Sequence, residues 1–137
     1  MSYGMAGPLQ AAIYQHLLSD AGVSALIGGA VYDALPAGDV PATYVSIGLE
    51  DVRDASDKSG AGAQHRITIS VISDATGFAT AKDVAGAVSD ALDGAPLSLS
   101  RGRLVGLWFE RARARRDGTA QQLRRIDLKF RARVEDD

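Results

Sequence analysis

Apolar residues recur at helical spacing near the start of the chain, where Leu9, Ala12, Ile13, Leu17 and Leu18 fall on one face. Pro8 suits the first turn of this helix. Gly22 ends or bends it near Asp20, and Val23, Leu26 and Ile27 add one short turn before Gly28-Gly29. Residues 31–35 read as a short extended piece closed by Pro36. The period then changes to two. Val45, Ile47 and Leu49 share one face of 43–49, and Ile67, Ile69 and Val71 share one face of 66–71. Both patterns predict half-buried antiparallel strands. Between them, residues 53–63 are polar, contain glycine and show no periodicity. A hairpin loop that long is usually functional or mobile.

Thr76 is the expected N-cap of a second helix. Phe78, Ala81, Val84, Ala85, Val88, Ala91 and Leu92 form its apolar stripe, and Gly94 and Pro96 end it. The last third predicts two long strands joined at Asp117-Gly118. With those two as the loop, Phe109 faces Ile126, Leu107 faces Leu128 and Val105 faces Phe130. The same register sets Glu110 opposite Arg125 and Arg111 opposite Arg124. It also turns Arg111, Arg113 and Arg115 inward, so the end of this hairpin is expected to leave the core as a projecting arm. The whole order predicts an α+β protein: a mainly antiparallel sheet of four to five strands with two helices on one face.

The length of 137 residues suits a single domain over 1–137, large enough for a core without disulfides or metals. There are no cysteines, which excludes a thiolate nucleophile and a cysteine zinc site. Residues 1–7 carry no signal-peptide pattern, and no apolar run approaches the ~20 residues of a membrane span. Net charge is only −2, but it is unevenly placed. Residues 101–133 hold eleven Lys and Arg against Glu110, Asp117 and Asp127, so this segment is +8 and the remainder −10. Such asymmetry marks a surface that meets a partner.

No catalytic pattern emerges. His16 and His65 lack a spaced metal-ligating partner and read as surface or hydrogen-bonded histidines. Asp51, Asp54 and Asp57 do not match a calcium loop, and Gly60-Ala61-Gly62 lacks the ending of a phosphate loop. The expectation is no enzyme, no metal and no cofactor. The arginine cluster carries the functional weight, and three readings compete for it: a solvated edge strand, a nucleic-acid contact, or a protein interface meeting acidic surface on another subunit. The candidate interface residues are Arg111, Arg113, Arg115, Arg116, Arg124 and Arg125 on the hairpin, with Arg53, Asp54, Asp57 and Lys58 on the long loop.

The run from Gly29 through Val31-Tyr32-Asp33 to Pro36, followed by Pro41-Ala42-Thr43-Tyr44-Val45, resembles the tail terminator or tail completion proteins of long-tailed phages and gene transfer agents. His65-Arg66 opening a strand, Ala81-Lys82 with Ala91-Leu92, and Leu104-Val105-Gly106-Leu107-Trp108-Phe109-Glu110 extend the resemblance across residues 9–134. It implies a structural virion protein, assembled in the bacterial cytoplasm and located in the virion tail. Such proteins form rings, generally hexameric, that cap the tail tube, end its polymerisation and join the head connector or stopper. DNA passes through the bore without sequence-specific contact, and no membrane is involved. The alternative is a small nucleic-acid-binding module using the basic hairpin.

Overall fold

The computed structural model describes residues 2–57 and 60–137. Helices α1 (Ala6–Ser19), α2 (Ala21–Ile27) and α3 (Ala79–Leu92) accompany strands β1 (Val31–Tyr32), β2 (Thr43–Asp54), β3 (Gly62–Ser73), β4 (Arg103–Asp117) and β5 (Leu123–Glu135). The strands form one sheet in the order β1-β2-β3-β5-β4, with β1 parallel to β2 and every other pairing antiparallel. The α+β expectation is met, with a third helix besides the two anticipated.

Asp20 both ends α1 and starts α2, accepting a hydrogen bond from the Val23 amide at 3.0 Å. Its side chain therefore caps the break that Gly22 suggested. The alanine-rich face of α3 lies against β3, β5 and β4, burying Ala81, Val84, Ala85, Val88 and Leu92. These meet Ile67, Ile69, Val71, Ile126, Leu128, Phe130 and Leu107, while Leu9, Ile13 and Leu17 of α1 close the core. Gly94, at φ +73°, provides the left-handed residue that turns the chain away from α3. The N-cap is Phe78 rather than Thr76, and it offers no side-chain bond. Thr76 instead presents its carbonyl to the Arg124 guanidinium at 2.7 Å, and Arg124 lies over the Phe78 ring.

The hairpin between β2 and β3 is tighter than the sequence suggests. Arg53 pairs with Gln64 and Asp54 with Ala63, so strand pairing takes both ends of the expected loop. The remaining turn is held by Ala55 N–H to Gly62 carbonyl and Asp57 N–H to Gly60 carbonyl bonds, at 2.9 and 3.0 Å. Lys58 lies outside the described residues.

The register of the last hairpin differs more. Arg116 pairs with Arg124, Ala114 with Ile126, Ala112 with Leu128 and Phe109 with Phe130. Two causes overturn the expected pairing. The connection runs over 118–122 as a short 3-10 turn with Ala120 and Gln121 at positive φ, not as a two-residue Asp-Gly turn. Two bulges, between Leu104 and Gly106 and between Phe109 and Arg111, then each insert an unmatched residue. Glu110 is the second of these, so alternation reverses beyond it. Ala112 and Ala114 take the helix side, and Arg111, Arg113 and Arg115 take the opposite face. The arginines need not leave the core side, because they were never on it. There is no projecting arm: β5 stays paired with β3 as far as Ser73 and Arg124.

Candidate assembly surface

The helix-free face of the sheet is built from the outward positions of β3, β5 and β4. Glu110 receives Arg66 at 3.0 Å and Arg131 at 3.8 Å, replacing the expected partner Arg125. Trp108 lies beneath the Arg131 guanidinium, 4.6 Å from ring centre to the charge. Toward the β4–β5 turn, Arg125 contacts Asp127 at 2.9 Å and Asp117 at 3.6 Å, while Arg115 reaches the same two carboxylates at 3.7 and 3.6 Å. The register opposes Arg115 to Arg125 and Arg116 to Arg124. Like charges face each other directly there, and Asp117 and Asp127 supply the counter-charge that makes the first pair tolerable.

Asp127 is the keystone of this group. It also accepts a hydrogen bond from the buried Ser70 hydroxyl at 2.6 Å. Partial burial pushes its carboxyl upward, but the Ser70 hydroxyl and the guanidiniums of Arg125 and Arg115 outweigh that and hold it below the usual value. Neither the Ser70 contact nor the β3–β5 register that makes it was visible in the sequence pattern.

Other basic groups are left without a counter-ion. Arg111, Arg113, Arg116 and Lys129 are exposed and form no ion pair among the described residues. Arg111, Arg113 and Lys129 instead line a shallow hollow with Leu49, which is 83% exposed. Arg53, Asp54 and Asp57 lie at the opposite end of the sheet, beside Arg133, which contacts Asp57 at 3.8 Å. Along the strands, Arg53 and Asp54 lie four to ten residue steps from the levels of Arg111 and Arg124, about 13–33 Å, and on the opposite side of the sheet. The candidate residues therefore form two clusters, not one. Two hydrogen bonds to Ser56 hold the Asp54 carboxyl below its ordinary value.

The histidines follow the bland expectation. His16 donates to the Ala91 carbonyl at 2.8 Å, joining α1 to α3. His65 is fully buried and donates from Nδ1 to Glu50 at 2.9 Å, and Glu50 also accepts from the Tyr3 hydroxyl at 2.7 Å. Among the described residues, no group of three or more His, Asp or Glu is arranged to hold a metal.

A sheet with helices on one face and a charged, helix-free second face is an interaction scaffold, whose chemistry lies on surfaces and edges. The chain belongs to the tail completion protein gp17 family, whose model matches residues 11–135. It is a structural tail-completion protein of the virion tail. A solved chain from the virion of a native gene transfer agent particle is 67% identical, with a TM-score of 0.92, over 98% of this chain and 99% of that one. No curated protein sequence matches it.

Proposed function

We propose that this protein works as one tail-terminator-like domain over residues 1–137, closing into a ring, six-fold by resemblance to its family. The ring caps the tail tube, ends polymerisation and offers its other side to the head connector or stopper, while DNA crosses the bore without sequence-specific contact. The role is structural and involves no catalysis. The observation that carries the reading is the end-to-end agreement, in sequence and fold, with a chain of a gene transfer agent virion. The helix-free face supports it as a set of subunit and tube contacts through Arg111, Arg113, Arg115 and Arg125, with Arg116 and Arg124 on the opposite, helix side of the same hairpin as a flanking contact. Arg53, Asp54 and Asp57 at the far end of the sheet form a second contact, with Lys58 assigned to it from its sequence position alone.

A nucleic-acid module fits less well. Arg66, Arg115, Arg125, Arg131 and Arg133 already face carboxylates within the chain, so much of the basic charge is neutralised before any phosphate arrives. The test is tube assembly with and without the protein, viewed by electron microscopy. Tubes of controlled length ending in a six-fold ring are expected. Uncapped tubes of unchanged length in the presence of folded protein would refute the role.

A further inference from the structure

The sheet has two open edges. One is β4, since no strand lies outside it among the described residues, although Gly94 and Asp93 bond its backbone at Leu107 and Phe109 and leave the stretch from Arg111 onward free of them. The other is the second half of β2, because β1 pairs only with Val45 and Ser46 and leaves residues 47–54 without a partner on that side. Open edges are templates for another strand. Here they carry opposite charge: Arg103, Arg111, Arg113 and Arg116 mark the β4 edge, whereas Asp33, Asp39 and Asp51 mark the β1–β2 edge. Asp33, Asp39 and Asp51 form no ion pair among the described residues, matching the unpaired Arg111, Arg113 and Arg116.

Register settles how these charges would align. Tyr32, Ser46, Ser70, Asp127 and Arg113 are successive partners across the sheet and so share one level. Asp33, one residue past Tyr32, is therefore level with Arg111 and Arg113. Thr68, Lys129 and Arg111 share another level, and the bulge between Ile47 and Glu50 sets exposed Leu49 opposite Thr68, so Leu49 is level with Arg111 and one step from exposed Phe109. Strand direction agrees as well. Three antiparallel steps separate β2 from β4, so they run in opposite senses. A rotation about an axis parallel to the strands preserves direction and sets β4 of one copy antiparallel to β2 of the next.

We infer that neighbouring copies join edge to edge, the β4 edge from Arg111 onward of one laid beside Asp33 and residues 47–49 of the next, with Arg111 and Arg113 meeting Asp33. The receiving edge has room for such side chains: a groove of about 500 Å³ between α1 and β2 is lined by Tyr3, Tyr14, Asp33 and Glu50. This rests on the ring reading and names its interface.

The test uses the full chain on tail tubes, with ring yield scored by microscopy and native mass spectrometry. Asp33→Arg and Arg113→Asp should each lower ring yield about ten-fold through like-charge contact, and the combined variant should recover most of it. Single variants that form rings normally, or a folded combined variant that stays as poor as either single one, would overturn the edge contact. Should the combined variant fail to fold, a Leu49→Cys/Arg111→Cys chain decides, since the native sequence has no cysteine to interfere. A ladder of oxidised multimers from assembled rings supports edge pairing; intact rings that yield only monomers overturn it. A wild-type chain that forms no ring at the tube end fails differently, because it removes the ring reading itself.

Discussion

Replacing Asp127 with alanine tests the architecture of the arginine face most directly. The carboxylate accepts from Ser70 and from Arg125 and lies near Arg115, and its side chain is only a quarter exposed. A hydrogen bond to a charged group is worth roughly 1.5–3 kcal/mol when buried, and partial exposure puts these near the lower end. Asp127→Ala leaves the Ser70 hydroxyl with Arg125 at 3.1 Å and returns the like charges of Arg115 and Arg125 to each other. The summed cost is about 2–3 kcal/mol. For 137 residues the unfolding entropy is about 0.29 kcal/mol/K, so Tm should fall by roughly 7–10 °C.

Calorimetry of wild type, Asp127→Ala, Ser70→Ala and the double variant provides the measurement. The double variant should cost clearly less than the sum of the single ones, because they share a bond. pH adds an independent check. The folded carboxyl titrates below its unfolded value, so its contribution is fully present above the unfolded value near pH ~4 and fades as pH falls through the folded one. The gap between wild type and Asp127→Ala should therefore narrow in acid, below about pH 4. A Tm loss under about 2 °C, strict additivity, or a gap that widens in acid would refute the network.

Phe130 is fully buried between α3 and Phe109, and Phe130→Ala should cost about 3–5 kcal/mol, read as a lower urea midpoint. Gly102 sits at φ +63°, where an added Cβ would overlap the Glu135 carbonyl and the Met5 side chain; Gly102→Ala should destabilise by about 2 kcal/mol or more in the same assay. Trp108 is the only tryptophan and is 37% exposed on the β4 edge strand, so ring closure over that edge should shift its emission to the blue; unchanged emission in closed rings would argue against a covered β4. Leu49→Lys should leave stability within about 0.5 kcal/mol while lowering ring yield, which separates a surface contact from a structural one.

What the sequence disclosed depended on whether a signal was local. Helical stripes and the alternation of Ile67, Ile69 and Val71 reported elements well, because periodicity is set by the chain itself. The last hairpin did not yield so easily. Asp117-Gly118 is a strong turn signal, and three apolar pairs agree with its register. Yet β5 alternates so regularly that a register displaced by several residues also pairs apolar with apolar, as Ala112 with Leu128 and Ala114 with Ile126 demonstrate. Nothing local marks Glu110 as a bulge. The longer turn and this bulge together set three arginines on the opposite face from Phe109 and replaced an expected arm with a flat face. Asp127 stayed hidden for the same reason, since its bond to Ser70 joins residues 57 positions apart.

That correction bears on how the proposed ring would avoid unspecific edge-to-edge association. A fifteen-residue edge strand, covered by the end of α3 only near Leu107 and Phe109, is ordinarily a hazard, because a second copy could pair with the rest of it. Pairing β4 with another β4 would set a strand bearing five arginines against its equal, and the two bulges would have to match as well. Pairing one β1–β2 edge with another would oppose Asp33, Asp39 and Asp51 to their own copies. Both symmetric contacts are penalised by the charge pattern, which leaves the heterologous contact of basic on acidic edge. A heterologous contact repeats in one rotational sense and ends only when it closes. On the proposed reading, the charge asymmetry, first noticeable as +8 over residues 101–133, disfavours a two-fold dimer and favours a head-to-tail contact that forms a ring where its rotation closes. Short-range electrostatics of this kind weaken with salt, so ring yield should fall as ionic strength shortens the screening length below about 10 Å. Ring yield that holds steady or rises with salt would instead assign the contact to apolar burial around Leu49 and Phe109.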